Sequence, residues 1–324
     1  MNKANCFNFR FECFARSLSV LAFVCIFIFS ICLYVQAQIN SNDYQQGLDY
    51  LNRQNFSAAV ISFQAALKVS PGDDKARQGL AIALIGIEKF PEASREIAKL
   101  LTHAPKDANL LEMAAQSFWR QKRFAEAETV LRRRLSLGNE HAELQALFGD
   151  VLDAQKKTAE AAAAYEKAVE LAPDSIDLRY ALGALYWKQI RYEDATREFL
   201  EILRRQPNEP RASFNLGDIY LTKGDAAKSL PFLETAVKAY PGEFDTRFAF
   251  GRALLATNKT DSALIELQAA VKLKPDIAEG HYHLGRALQR AGRRDEAKSE
   301  MLKAQTLQIA QRAREELKMP AKPQ

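Results

Sequence analysis

The chain has 324 residues, of which 48% are hydrophobic and 26% charged, and a net charge of +5. That balance is globular rather than disordered, and too even to specify a nucleic-acid partner. All four cysteines, Cys6, Cys13, Cys25 and Cys32, precede residue 38, which excludes a disulfide framework or a thiolate metal site in the rest of the chain.

The front end reads as an export signal. Lys3, Arg10 and Arg16 precede an apolar run from Leu18 to Val35 that only Ser19 and Ser30 interrupt with polar side chains. Val35-Gln36-Ala37 then offers small or aliphatic residues one and three places before a cut after Ala37, so residues 1–37 are expected to be a signal peptide. The run is longer than the roughly 7–15 residues of a usual signal core and close to the ~20 that cross a bilayer, so an uncleaved anchor over 18–35 is the alternative. Either way the basic end stays inside and the remainder is exported, to the periplasm or the exterior, with membrane contact only through 18–35 if uncleaved.

From residue 40 the chain keeps a beat. Pro71, Pro105, Pro173, Pro207, Pro241 and Pro275 stand 34 residues apart, or 68 across the one gap, where Asn139 takes the place. Counting back from the prolines gives eight repeats: 40–73, 74–107, 108–141, 142–175, 176–209, 210–243, 244–277 and 278–311. A fixed period of this length marks a stacked repeat architecture. Within each repeat the apolar spacing predicts two helices, as over 176–189 and 192–205, with turn formers such as Gly224, Asn258 and Gly292 near position 15. The position-32 proline stops the second helix, and Asp107 and Ser175 are placed to cap the next one. Asn55-Phe56-Ser57 and Asn258-Lys259-Thr260 match a glycosylation triplet, but both fall at turns, where Asn is expected for backbone geometry alone.

Two columns of small residues predict where the helices touch. Position 8 carries Gly47, Gly149, Gly183, Gly217, Gly251 and Gly285, with Ala81 and Ala115 in the other two repeats. Position 20 carries Ala in every repeat but one, Ala93 and Ala195 among them, and Ser229 in the sixth. Glycine costs roughly 1 kcal/mol against Ala in mid-helix, so six of them imply a close approach, and the two columns are expected to face each other.

This pattern resembles the tetratricopeptide repeat (TPR): Gly or Ala at 8, an aromatic or Leu at 11, Ala at 20, an aromatic or aliphatic at 24, Pro at 32. The first repeat shows it as Gly47, Tyr50, Ala59, Phe63, Ala66 and Pro71; the fifth as Gly183, Tyr186, Ala195, Phe199 and Pro207. The resemblance spans 40–311 and implies an all-α, right-handed superhelical solenoid, followed by a polar cap and tail over 312–324. Three departures stand out. Repeat 3 has Arg134 and Asn139 where Ala and Pro are usual, so its local stacking is expected to differ. The position-4 aromatic is replaced by Arg179, Ser213 and Arg247. Pro231 falls inside a second helix and is expected to bend it, whereas Pro91 and Pro210 fall in first turns, where proline is tolerated.

No catalytic motif is present, and His281 and His283, two residues apart, cannot share a helix face, so the reading is a non-enzyme with no cofactor or metal. The resemblance implies that first-helix positions line an inner groove. There Tyr180, Phe214, Phe248 and Tyr282 form a ladder at position 5, flanked by Trp187, Lys188, Arg211, Asn215, Arg252, Arg286 and Arg290. Rings cover apolar side chains and guanidinium groups fork carboxylates, so the expected partner is a peptide or protein segment. Stacking of the rings on sugars, in polysaccharide handling, and service as a spacer or oligomerisation module are the alternatives.

Overall fold

The structure is a computed structural model that describes residues 42–318. The predicted signal or anchor lies outside the described residues, as do the last six residues of the tail. The described residues form helices and no strands: α1 (42–52), α2 (Phe56–Val69), α3 (Asp74–Gly86), α4 (Phe90–His103), α5 (Ala108–Arg120), α6 (Phe124–Leu135), α7 (Ala142–Ala154), α8 (Thr158–Leu171), α9 (Ile176–Lys188), α10 (Tyr192–Arg205), α11 (Pro210–Thr222), α12 (Ala226–Ala239), α13 (Phe244–Ala256), α14 (Thr260–Leu273), α15 (Ala278–Arg290) and α16 (Arg294–Lys318). Each of the eight repeats supplies an odd-numbered first helix and an even-numbered second one.

The chain divides into two compact bodies. The first runs to Glu140 and includes Asp150–Lys157; the second comprises His141–Gly149 and everything from Thr158. In each body consecutive helices pack on one another, α2 to α6 in the first and α8 to α16 in the second. In the second body the first helices also touch their counterparts in the next repeat: α9 meets α11, α11 meets α13, and α13 meets α15. This is an all-α solenoid, and in the second body its first helices present one continuous face.

The turn between paired helices is the same in every repeat. Position 15 has positive φ throughout, from +56° at Gln54 to +86° at Gly224. The next residue's N–H donates to the carbonyl of position 11 at 2.8–2.9 Å, closing the first helix with a Schellman-type bond. Gly224, Asn258 and Gly292 suit that conformation; Gln54, Glu88, Lys122, Lys156 and Ile190 adopt it against the steric preference of an L side chain. Between repeats, Asp73, Asp107 and Ser175 accept N-terminal amide bonds of α3, α5 and α9, and Glu209 does the same for α11, as capping requires. Asn55 caps α2 through its side chain, which accounts for that Asn by geometry. Pro91 and Pro210 lie in first turns, and α12 runs unbroken from Ala226 to Ala239 with Pro231 inside it.

The packing differs from the expectation in one respect. The position-8 glycines chiefly face position 24, not position 20. A Cβ placed on Gly47 would meet the Phe63 ring at 2.7 Å, one on Gly149 the Tyr165 ring at 2.7 Å, and one on Gly183 the Phe199 ring at 2.9 Å. Gly217 and Gly251 stand in the same relation to Leu233 and Leu267, at 2.6 and 2.7 Å. The missing Cβ makes room for a large side chain from the partner helix. Ala59, Ala93, Ala127, Ala161, Ala195 and Ala263 at position 20 are buried beside it without any exposure.

Two of the three position-4 departures, Arg179 and Arg247, share a physical explanation with Arg77. Arg77, Arg179 and Arg247 each reach the carboxylate at position 23 of their own repeat, Glu96, Glu198 and Glu266, at 2.6–2.7 Å. Each also donates to the carbonyl of the proline that ends the preceding repeat, Pro71, Pro173 and Pro241. His281 makes the same bracket in repeat 8, between Glu300 at 2.5 Å and the Pro275 carbonyl at 2.9 Å. A polar bracket thus stands where the family places an aromatic ring.

Repeat 3 breaks the pattern locally. Gly138 and Asn139 both have positive φ, +76° and +52°, which proline cannot adopt. Arg134, 5% exposed, fastens this loop by donating to the Gly138 and Asn139 carbonyls at 2.8 and 3.2 Å, and it is paired with Glu112 at 2.6 Å. The division between the two bodies falls immediately after.

Two outcomes follow for denaturant unfolding. Gly217→Leu drives a side chain into Leu233 and is expected to destabilise by ~1–3 kcal/mol. Ile190→Gly relieves a β-branched residue held at φ +61° and 70% exposed, and is expected to stabilise by about 1 kcal/mol after the flexibility glycine adds to the unfolded chain. An unchanged midpoint for either variant contradicts the corresponding contact or turn.

Candidate peptide-binding face

The first helices α9, α11, α13 and α15 bring the residues of the predicted ladder onto one continuous face of the second body. The four position-5 rings sit on it in different ways. Tyr180 is half-buried against Phe199, with ring centroids 5.8 Å apart; Asn215 donates to its hydroxyl at 3.0 Å, and the Arg211 guanidinium lies 4.6 Å above it. Phe214 packs beside Leu233, Ala249 and Ala253. Phe248 is 9% exposed and stacks on Phe244 at 5.2 Å within the core of repeats 7 and 8. Tyr282 is 48% exposed. Only the last presents its ring openly; Phe248 is held inward by the helix that follows.

The cations also divide. Arg211 is paired with Glu209 and Asp177, both at 3.0 Å, which hold its guanidinium more firmly protonated. Arg290 donates to the Leu255 carbonyl at 2.6 Å and to Asn258 at 3.2 Å, so it braces the turn of repeat 7 instead of facing the groove. Among the described residues Arg252 and Arg286, both at position 9, form no salt bridge; they lie over the Phe248 and Tyr282 rings at 5.4 and 5.9 Å. Trp187 is 39% exposed at the last turn of α9, with exposed Lys188 beside it.

Two residues on this face were not singled out from the sequence. Asp218, at position 9 of repeat 6, accepts the Trp187 indole N–H; burial raises its carboxyl above the usual range, against the opposing pull of that hydrogen bond and of Arg252. His283, at position 6 of repeat 8, lies edge-on to Phe248 and Tyr282 at 5.4 and 5.3 Å. Burial first, then Arg252 and Arg286, push its imidazole down to about 4. A signal for Asp218 was present: position 9 turns from aliphatic in repeats 1 and 2 to Asp218, Arg252 and Arg286 in succession. His283 and His281 face different surroundings, as their spacing requires, with His281 taken into the bracket with Glu300.

Family profiles described as "Tetratricopeptide repeat" match residues 50–117, 180–244 and 278–308, and one described as "TPR repeat" matches 149–189 and 251–292. Together they cover more than half of the 324 residues. The chain belongs to the tetratricopeptide repeat family. None of the curated proteins compared with it matches in sequence. Among solved structures, this TPR chain is similar to a tetratricopeptide repeat protein from Parabacteroides merdae ATCC 43184, at 17% identity and TM-score 0.55 over 78% of this chain and 99% of that one. It is also similar to YrrB, described as "a TPR protein with an unusual peptide-binding site", at 21% identity and TM-score 0.51 over 57% and 95%. A third is the MamA RS-1 ArsTM double mutant, at 23% identity and TM-score 0.50 over 52% and 96%. At these identities the likeness concerns the TPR fold.

The geometry separates structural rings from accessible ones. Phe248→Ala is expected to destabilise the TPR array by ~3–5 kcal/mol, as loss of a core ring does. Tyr282→Ala, on an open ring, is expected to stay within about 0.5 kcal/mol. Equal unfolding midpoints for the two variants would contradict this division.

Proposed function

We propose that this protein is a non-catalytic binding scaffold that captures a peptide or protein segment on the first-helix face of repeats 5–8, outside the cytoplasm. One observation carries the reading: among the described residues Arg252 and Arg286 on that face form no salt bridge, and they stand beside the accessible rings of Trp187 and Tyr282. A guanidinium is weakly hydrated and presents a planar fork that matches a carboxylate, so an unpaired one on a partly desolvated face is ready to bind an acidic side chain. Indole and phenol rings supply flat apolar area at small entropic cost. Export is supported by the basic start, the apolar run 18–35 and the Val35-Gln36-Ala37 site.

The test is cross-linked capture from the native envelope with wild type and an Arg252→Ala/Arg286→Ala variant. The two arginines lie outside the core, so the fold is expected to persist. Affinity for a segment captured on this face is expected to fall by ~1–3 kcal/mol for each arginine, and wild-type binding to weaken as salt rises. Recovery of the same protein partner in equal yield with the variant counts against this face. Recovery of a polysaccharide with wild type moves the reading to sugar stacking on the same rings.

A further inference from the structure

Arg252 and Arg286 occupy the same position in successive repeats, and among the described residues neither forms a salt bridge, which sets them apart from Arg77, Arg179, Arg211 and Arg247, first-helix arginines that each have one. The His283 ring shares their aromatic neighbours. It meets Phe248 and Tyr282 edge-on, and the same two rings carry the two guanidinium groups. The charged groups acting on the imidazole are Arg252 from α13 and Arg286 from its own helix. The carboxylate acting on Arg252 is Asp218 of α11, itself bonded by Trp187.

We propose that Arg252, His283 and Arg286 form a subsite for one carboxylate side chain of an acidic peptide, and that His283 takes up a proton from solvent as that carboxylate binds. The inference rests on the first-helix face being the binding face. Two cations acting on one half-buried neutral ring leave a local excess of positive charge, which an oxyanion relieves. A carboxylate has two oxygens and about four acceptor sites, so it can accept from both guanidinium groups and still take a third N–H. The imidazole is held down at about 4 partly by the two arginines; an anion between them cancels that cause, while burial remains. By linkage, the factor by which the anion raises proton affinity is the factor by which the proton raises anion affinity. Affinity therefore rises as pH falls through the window between the raised and the resting His283 values, about 5 down to about 4, and the gain is cut short as the peptide's own carboxylate protonates near its usual value of about 4.3.

The experiment is NMR titration of the histidine ring signals of the full chain, with and without an N-acetylated, C-amidated Glu-Glu dipeptide. The His283 midpoint is expected to move up by about one pH unit, equivalent to roughly tenfold tighter binding by the protonated form. That movement should vanish in Arg252→Gln/Arg286→Gln, with the buried His281 signal reporting that the fold persists. In His283→Gln the acid-side gain in affinity should disappear. A His283 signal that stays fixed while the dipeptide binds elsewhere on the chain overturns the subsite and leaves the scaffold reading standing. A signal moved by inorganic phosphate but not by the dipeptide overturns the carboxylate assignment. Loss of the scaffold reading itself is scored separately, by capture that is indifferent to both arginines.

Discussion

The constraint on which the structure depends is the contact between position 8 of each first helix and position 24 of its partner. Where position 8 is glycine, a large side chain seats against bare backbone, closer than any Cβ would permit. Phe63 shows the tightest case: Gly47 and Gly79, from successive first helices, both border its ring, which has no solvent exposure. Helix pairs held this close bury alanine at position 20 completely. They also fix the rotation of the first helix, and so decide which of its positions turn outward. The proposed binding face is a consequence of that rotation.

Much of the architecture was legible in the sequence because each repeat contacts only its neighbours. Periodicity, helix ends and the resemblance to TPR arrays are local properties repeated eight times, and the prolines and caps stand where the spacing placed them. The partner of the glycine column was less legible. Two small columns suggest each other as partners, yet a missing Cβ is most useful opposite something large. The polar brackets at position 4 escaped notice for another reason. Arg77 and Glu96 are 19 residues apart, and the proline carbonyl they share belongs to the previous repeat; a residue-by-residue comparison with the family sees only a missing aromatic.

The face was legible as a set of positions but not as a set of exposures. Phe248 and Tyr282 occupy the same place in consecutive repeats. The first is covered by the helix that follows, whereas the second, in the last repeat, has no following first helix among the described residues. Arg211, Arg252 and Arg290 look alike in sequence. One is neutralised by two carboxylates, one braces a turn, and one forms no salt bridge among the described residues, because their differences lie largely in neighbours about 34 residues away. Repeat 3 shows the converse. Its departures from the pattern looked like separate irregularities, and Arg134 joins them: the side chain that replaces alanine holds the loop that replaces proline.

The position-4 brackets carry a further meaning when the array is treated as a linear chain of coupled elements. The carboxylate of each bracket belongs to the same repeat as the arginine or histidine, but the carbonyl belongs to the one before. Melting of repeat 1, 4, 6 or 7 therefore removes an acceptor from an intact neighbour and leaves the arginine or histidine of that bracket short of a partner. The bracket therefore has an intrinsic part, the pair within one repeat, and an interface part, the bond to the carbonyl, and the interface part couples repeats 2, 5, 7 and 8 to the repeats before them.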